Sequence, residues 1–122
     1  MGNLFGTDGI RGIAGEELTS RTAFALGNAL SRLKAEPTVI LGQDTRVSSD
    51  MLALALAAGV TSGGGRVLGG GVLPTAAVSH FVRMRGADFG VVVSASHNPA
   101  AYNGLKVFGE DGRKLSEKQE KR

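Results

Sequence analysis

The stretch VVVSASHNPAAYNGLKVF, Val91 to Phe108, decides how this chain folds. Val91–Val93 belongs to the apolar run DFGVVVSA, and GLKVFG, starting at Gly104, is a second one. Both have the length and β-branched content of strands. The polar loop between them, Ser94-Ala95-Ser96-His97-Asn98-Pro99 and the residues just after it, leaves no room for a crossover helix. The two strands are therefore expected to be antiparallel neighbours.

Upstream of this pair, strands and helices alternate. Met1 to Gly15 is rich in glycine and reads as a loop with a short extended piece. Thr19 or Ser20 can cap a helix running to about Leu33, with Phe24, Leu26, Ala29, Leu30 and Leu33 spaced for one face. Pro37 ends it, and TVILGQD, Thr38 to Asp44, reads as a buried strand. Ser48 or Ser49 can cap a second helix, DMLALALAAGVT, with Asp50 at its positive end and Gly63-Gly64-Gly65 after it. RVLGGG is a short strand. Pro74 and Thr75 open a third helix to about Arg85, whose basic end suits the helix dipole. Glu110-Asp111-Gly112 is a turn. The expected fold is α/β, a three-layer sandwich with a four-stranded mixed, mostly parallel sheet between helices. Residues 1–122 form one domain. Ser116 and Gln119 make a capping box that announces a helix, yet Arg122 follows after barely more than one turn. The chain is thus either a piece of a longer protein or a domain that needs a partner.

The totals exclude several function classes. With 42% hydrophobic and 20% charged residues the chain is ordinary for a soluble globular domain, and no apolar run approaches a membrane span. The absence of cysteine rules out disulfides and thiolate metal ligation, and permits a cytoplasmic location. A net charge of +3 without a basic run, and only 5% aromatics, fit small anions better than nucleic acid.

Ser96 ends an apolar strand, at the edge of a mostly parallel sheet where ligands bind. A serine on a sharp loop can collect backbone N–H groups into an anion cradle, although SHNP also suits a plain turn. His97 is adjacent in sequence, and neighbours on an extended loop point apart, so a Ser–His proton relay is not expected. His97 and Asn98 are better suited to donate hydrogen bonds to an anion or to buttress the loop. His80, within the third helix, reads as a packing or surface residue. Lys106 alternates away from Leu105 and Val107 and shares a face with Phe108, so it either meets an anion or is an exposed edge lysine. Arg11, between Gly9 and Gly12, can offer a bidentate contact to phosphate or be an ordinary loop arginine. Asp44 and Arg46 follow the first long strand and can form an ion pair that shapes the loop, with Arg46 a further candidate for phosphate. No G-x-G-x-x-G or P-loop pattern occurs. A phosphoryl group is the natural anion, since phosphoserine carries a charge of about −1.5 to −2 that these cations can offset.

FGTDGIRG near the start, GQDTR after the first long strand, SASHNP and NGLKVF follow one another in the order seen in α-D-phosphohexomutases. The chain resembles their N-terminal domain over essentially its whole length, most closely that of the bacterial phosphoglucosamine mutase branch. The resemblance implies an enzyme that interconverts hexose 6-phosphate and 1-phosphate through a bisphosphorylated sugar, with hexose 1,6-bisphosphate as activator. It implies that Ser96 is the phosphoserine, that His97 is its loop neighbour, and that Arg11 and Lys106 flank the phosphate, where one can assist proton transfer. It also implies Mg²⁺, bound by an oxygen of phosphorylated Ser96 and by aspartates of a D-G-D-G-D-R loop in a second domain. No such loop occurs in this sequence, so the isolated chain is expected to lack full mutase activity. Its partners would be a phosphosugar and either the missing domains or another copy of itself. Pro-Ala-Ala-Tyr-Asn-Gly departs from the aromatic pair and acidic residue usual in the phosphoglucosamine mutase branch, which bears on the sugar and not on the family. The competing reading is a stand-alone, non-catalytic domain that binds a phosphorylated ligand or self-associates.

Overall fold

The structure is a computed structural model that describes residues 10–95 and 101–113. Five strands and three helices follow one another: β1 (Ile10–Ile13), α1 (Ser20–Leu33), β2 (Thr38–Gln43), α2 (Ser49–Ser62), β3 (Arg66–Val72), α3 (Thr75–Arg85), β4 (Phe89–Val93) and β5 (Tyr102–Phe108). They build one sheet of order β1-β5-β4-β2-β3. β2 runs parallel to β3 and β4, whereas β5 is antiparallel to both β4 and β1. The expected reversal between the last two strands is thus present, and the α/β class holds. Among the described residues the expected count of four strands is corrected to five. The extra strand is β1, the short extended piece of the glycine-rich N-terminal stretch. Its four residues, Ile-Arg-Gly-Ile, are too few to show a period. It is a strand because β5 offers it a ladder, with Arg11 opposite Gly104 and Ile13 opposite Tyr102.

Strand alternation divides the core in two. Val39, Leu41, Phe89, Val91, Val93, Leu105 and Val107 pack with α1 and α2 on one face. Ile40, Val92 and Phe108 pack with Val78 and Val82 of α3 on the other. β4 is buried along its full length, as expected of a central strand covered on both faces. Among the described residues no helix is long and apolar enough to cross a membrane.

The side of α1 that faces inward is only partly the expected one: Leu26 and Leu30 are buried and Leu33 packs against the core, as their spacing predicts. Phe24 and Ala29 are exposed, whereas Ala23, Leu26, Gly27, Leu30 and Ser31 are buried. Ala23, Gly27 and Ser31 recur every four residues and form a small-residue stripe against α2, where hydrophobicity alone shows little. A Cβ on Gly27 would collide with the carbonyl of Leu56, and one on Gly59 with the carbonyl of Phe24. Asn28 Nδ2 reaches across the crossing to the Gly59 carbonyl at 3.4 Å. Thr19 caps α1, its hydroxyl accepting from the Thr22 N–H, and Gly63 follows the end of α2.

The close helix crossing predicts that Gly27→Ala and Gly59→Ala each destabilise the fold by about 2 kcal/mol or more, through overpacking against backbone that cannot yield. Thermal melts should show each midpoint lower by on the order of 10 °C. An unchanged or raised midpoint, the usual response to Gly→Ala in a helix, would contradict the packing.

Candidate functional site

Because β5 is antiparallel to its two neighbours, β1, β2, β3 and β4 all end at the edge of the sheet where β5 begins. Backbone bonds carry this edge past the strands themselves. Ala14 N donates to Ala101 O at 3.0 Å, Ser94 N to Gly104 O at 2.9 Å, Asp44 N to Val93 O at 3.0 Å and Leu73 N to Gln43 O at 3.1 Å. The described chain stops at Ala95 on this edge and resumes at Ala101. Ser96, His97 and Asn98 themselves lie outside the described residues, as does the capping box at Ser116–Gln119.

Two of the expected basic residues lie on β1 and β5, the strands to one side of Ser94. Gly104, which accepts from Ser94 N, is also the register partner of Arg11. Lys106 stands opposite Val92, two residues further in along β5, or about 7 Å. It is half-buried and lies on the α3 side of the sheet with Phe108, as alternation requires. His80 is exposed on α3, its ring centroid 6.0 Å from that of Phe81, in keeping with a surface role.

Asp44 and Arg46 do form an ion pair, with Arg46 Nε 2.9 Å from Asp44 Oδ2. The carboxylate also accepts from Arg46 N at 3.0 Å, from Ser49 Oγ at 2.5 Å and from the Ser94 side chain. Arg46 Nη1 reaches the carbonyl of Tyr102 at 3.3 Å. Behind this pair sits fully buried Asn103, whose Nδ2 donates to Ser48 Oγ at 2.8 Å and to Ser49 Oγ at 3.0 Å, while its Oδ1 accepts from Gly104 N. These contacts correct the expected serine cap of α2. Ser48 occupies the cap position without a side-chain cap bond, and Ser49 spends its hydroxyl on Asp44. Gln43 Nε2 instead meets Asp50 at 2.7 Å.

Asn103, Ser49 and Ser94 are the residues that the motif reading passed over. One signal was available. Asparagine is disfavoured in strands, so Asn103 at the head of GLKVF marks a buried polar side chain that must find partners. Ser49 and Ser94 carry no comparable local sign. The cavity of about 370 Å³ lined by Ile40, Leu68, Leu73, Phe81 and Arg85, between β3 and α3, contains none of the candidate residues.

Ser94 at the carboxyl edge, with Arg11 and Lys106 on the neighbouring strands, leaves the family to be decided by comparison. The sequence profile described as phosphoglucomutase/phosphomannomutase, alpha/beta/alpha domain I, matches residues 2–122. The chain belongs to this family. It is 52% identical to the phosphoglucosamine mutase of Caldanaerobacter subterraneus subsp. tengcongensis, an alignment that takes in 100% of the chain and 28% of that protein. Identity to the phosphoglucosamine mutase of Heliobacterium modesticaldum is 53%, over 94% of the chain and 26% of the relative. The crystal structure of a candidate phosphomannomutase from Thermus thermophilus superposes with a TM-score of 0.88 at 33% identity, covering 99% of this chain and 29% of that one. The chain therefore spans under a third of the length of the family members it matches.

Burial alone pushes the Asp44 carboxyl up. The hydrogen bonds from Ser49, from the Arg46 backbone and side chain and from Ser94 outweigh it and hold the group below its ordinary value of 3.8. A depressed carboxyl adds stability at pH values above 3.8, and that stability is lost as pH falls through the lower folded value. Asp44→Asn should therefore lower stability at neutral pH and flatten its decline below about pH 4. Urea melts of both forms across that range check this, and parallel acid profiles would contradict it.

Proposed function

We propose that this chain is the phosphoserine-bearing domain of a phosphohexomutase, an isomerase that interconverts hexose 6-phosphate and hexose 1-phosphate in the cytoplasm. The observation that carries the reading is the family match together with the place of Ser94 and Ala95, where SASHNP begins, at the carboxyl edge beside the strand positions of Arg11 and Lys106. The names of the similar proteins favour glucosamine phosphate as the sugar.

In this reading Ser96 Oγ attacks the phosphorus of a hexose 1,6-bisphosphate. The phosphorus–sugar oxygen bond breaks, phosphoserine forms, and the sugar oxygen leaves with the proton that the serine gives up. Phosphoserine then passes this group to the free hydroxyl of a hexose monophosphate and re-forms a bisphosphate; after that sugar turns, Ser96 takes up its other phosphate and the isomeric monophosphate leaves. Such transfer needs positioning and charge stabilisation above all. Arg11 and Lys106 supply positive charge to the transferring group, and His97 and Asn98 supply hydrogen bonds. Mg²⁺ belongs to the implied chemistry as an electrostatic partner for the developing charge. Among the described residues no group of three or more His, Asp or Glu is close enough to hold a metal. The Asp44 carboxylate, with four donors, does not fit such a role. No step of the transfer is therefore routed through a metal on these residues. Calorimetric titration of the chain with MgCl₂ should show no tight stoichiometric site, and tight binding would reveal a carboxylate cluster not foreseen here.

Incubation with glucosamine or glucose 1,6-bisphosphate, followed by intact-mass measurement and peptide mapping, should place phosphate on Ser96 and leave Ser96→Ala unmodified. Phosphate on another serine would overturn the assignment. Sustained mutase turnover by the isolated chain is not expected, because the sugar must be gripped twice in opposite orientations and the chain spans under a third of the relatives it matches. A coupled assay with the Ser96→Ala control checks this. Turnover dependent on Ser96 would show that the chain builds a whole active site, alone or with a second copy.

A further inference from the structure

One ring of hydrogen bonds holds both ends of the segment that contains Ser96. It starts at Asn103 in β5, whose Nδ2 donates to Ser49 Oγ at 3.0 Å in the first turn of α2. Ser49 Oγ donates to Asp44 Oδ1 at 2.5 Å, Arg46 Nε donates to Asp44 Oδ2 at 2.9 Å, and Arg46 Nη1 donates to Tyr102 O at 3.3 Å. Tyr102 is the neighbour of Asn103, so the ring closes on β5. Ser94, on the other side of the segment, is tied to the same carboxylate by its side chain, and Asp44 N holds the carbonyl of Val93 at 3.0 Å.

We propose that Asp44 and Arg46 are positioning residues for phosphoryl transfer at Ser96, clamping the end of β4 at Ser94 and the start of β5 at Tyr102 without gripping the sugar phosphate themselves. This rests on the reading of Ser96 given above. Three observations carry it. The carboxylate accepts from Ser49, Ser94, Arg46 N and Arg46 Nε, which matches its roughly four acceptor sites. The Arg46 side chain is only 14% exposed and lies across the gap between the β2–α2 loop and β5, where a phosphate-seeking arginine would present its planar fork to solvent. Fully buried Asn103 braces the far side, fixing Ser49 and through it the carboxylate. In-line transfer is sensitive to placement, and a displacement of about 1 Å can cost on the order of a hundredfold in rate. Two strand ends that are pinned to one ion pair cannot separate without breaking it.

The test compares wild type with Asp44→Asn, Arg46→Ala, the double variant, Arg46→Lys and Ser49→Ala, all as the whole chain. The first readout is hydrogen exchange, followed peptide by peptide. Exchange across Val93–Asn103 should quicken by about tenfold or more in Asp44→Asn and Arg46→Ala, while peptides of α1 stay as protected as in wild type. The second is the single-turnover rate of phosphate uptake from hexose 1,6-bisphosphate at varied concentration. The maximal rate should fall by about ten- to a hundredfold with half-saturation unchanged, and the double variant should be no worse than the worse single one. If Arg46 grips phosphate, Arg46→Ala raises half-saturation, Asp44→Asn does not, and the losses multiply, which overturns the proposal. Should either charge-removing variant fail to fold, Arg46→Lys and Ser49→Ala keep the charges and must show a milder form of the same pattern; wild-type behaviour in both overturns it. If wild type takes up no phosphate, the reading of Ser96 fails. The clamp is then judged on exchange alone, where unaltered protection across Val93–Asn103 refutes it.

Discussion

The arrangement depends on β5 entering the sheet between β4 and β1, antiparallel to both. A parallel return would need a crossover of a dozen or more residues, and only a short segment separates Val93 from Tyr102. The reversal therefore follows from chain length. Its consequence is positional. Ser94 and Ala95 are left at the carboxyl edge, and Ile10–Ile13 is drawn to the same edge because β1 can pair only with the outer side of β5. Leu105 and Val107 anchor the strand by burying their side chains with α1 and α2, a contribution of about 1.5–3 kcal/mol each. The carboxyl edge is thus fixed by an apolar core on the other side of the same strand.

Helix and strand positions were readable where apolar spacing was strong and caps were local. Thr19, Pro37, Gly63 and Pro74 mark boundaries by their own backbone chemistry, and the structure respects them. β1 was not readable as a strand, because four residues held by a partner far along the chain leave no period. The buried side of α1 was readable at Leu26, Leu30 and Leu33 and missed elsewhere, for a related reason. Ala23, Gly27 and Ser31 are selected for smallness at a backbone crossing, a demand that hydrophobic spacing does not record.

The site shows the same divide. Ser96, Arg11 and Lys106 stand out as residue types near loops and strand ends, and the strand register accounts for the nearness of Arg11 and Lys106 to the edge. The ring through Asn103, Ser49, Asp44 and Arg46 joins two segments far apart in the chain, and no local pattern announces such a closure. The Asp44–Arg46 pair was foreseen from GQDTR alone because its two members are two residues apart. Its attachment to Tyr102 was not, since that depends on the β4–β5 reversal.

The central claim is that the sheet brings the charges of Arg11 and Lys106 to a phosphate on Ser96. It is tested most directly by the second ionisation of that phosphate. Phosphoserine installed at position 96 by codon reassignment can be titrated by ³¹P NMR in the otherwise unaltered chain and in Lys106→Ala and Arg11→Ala. The account predicts an ionisation below the ordinary value of about 6, moving back toward it when either cation is removed. A phosphate that titrates as in a free peptide, and is indifferent to both substitutions, would contradict it.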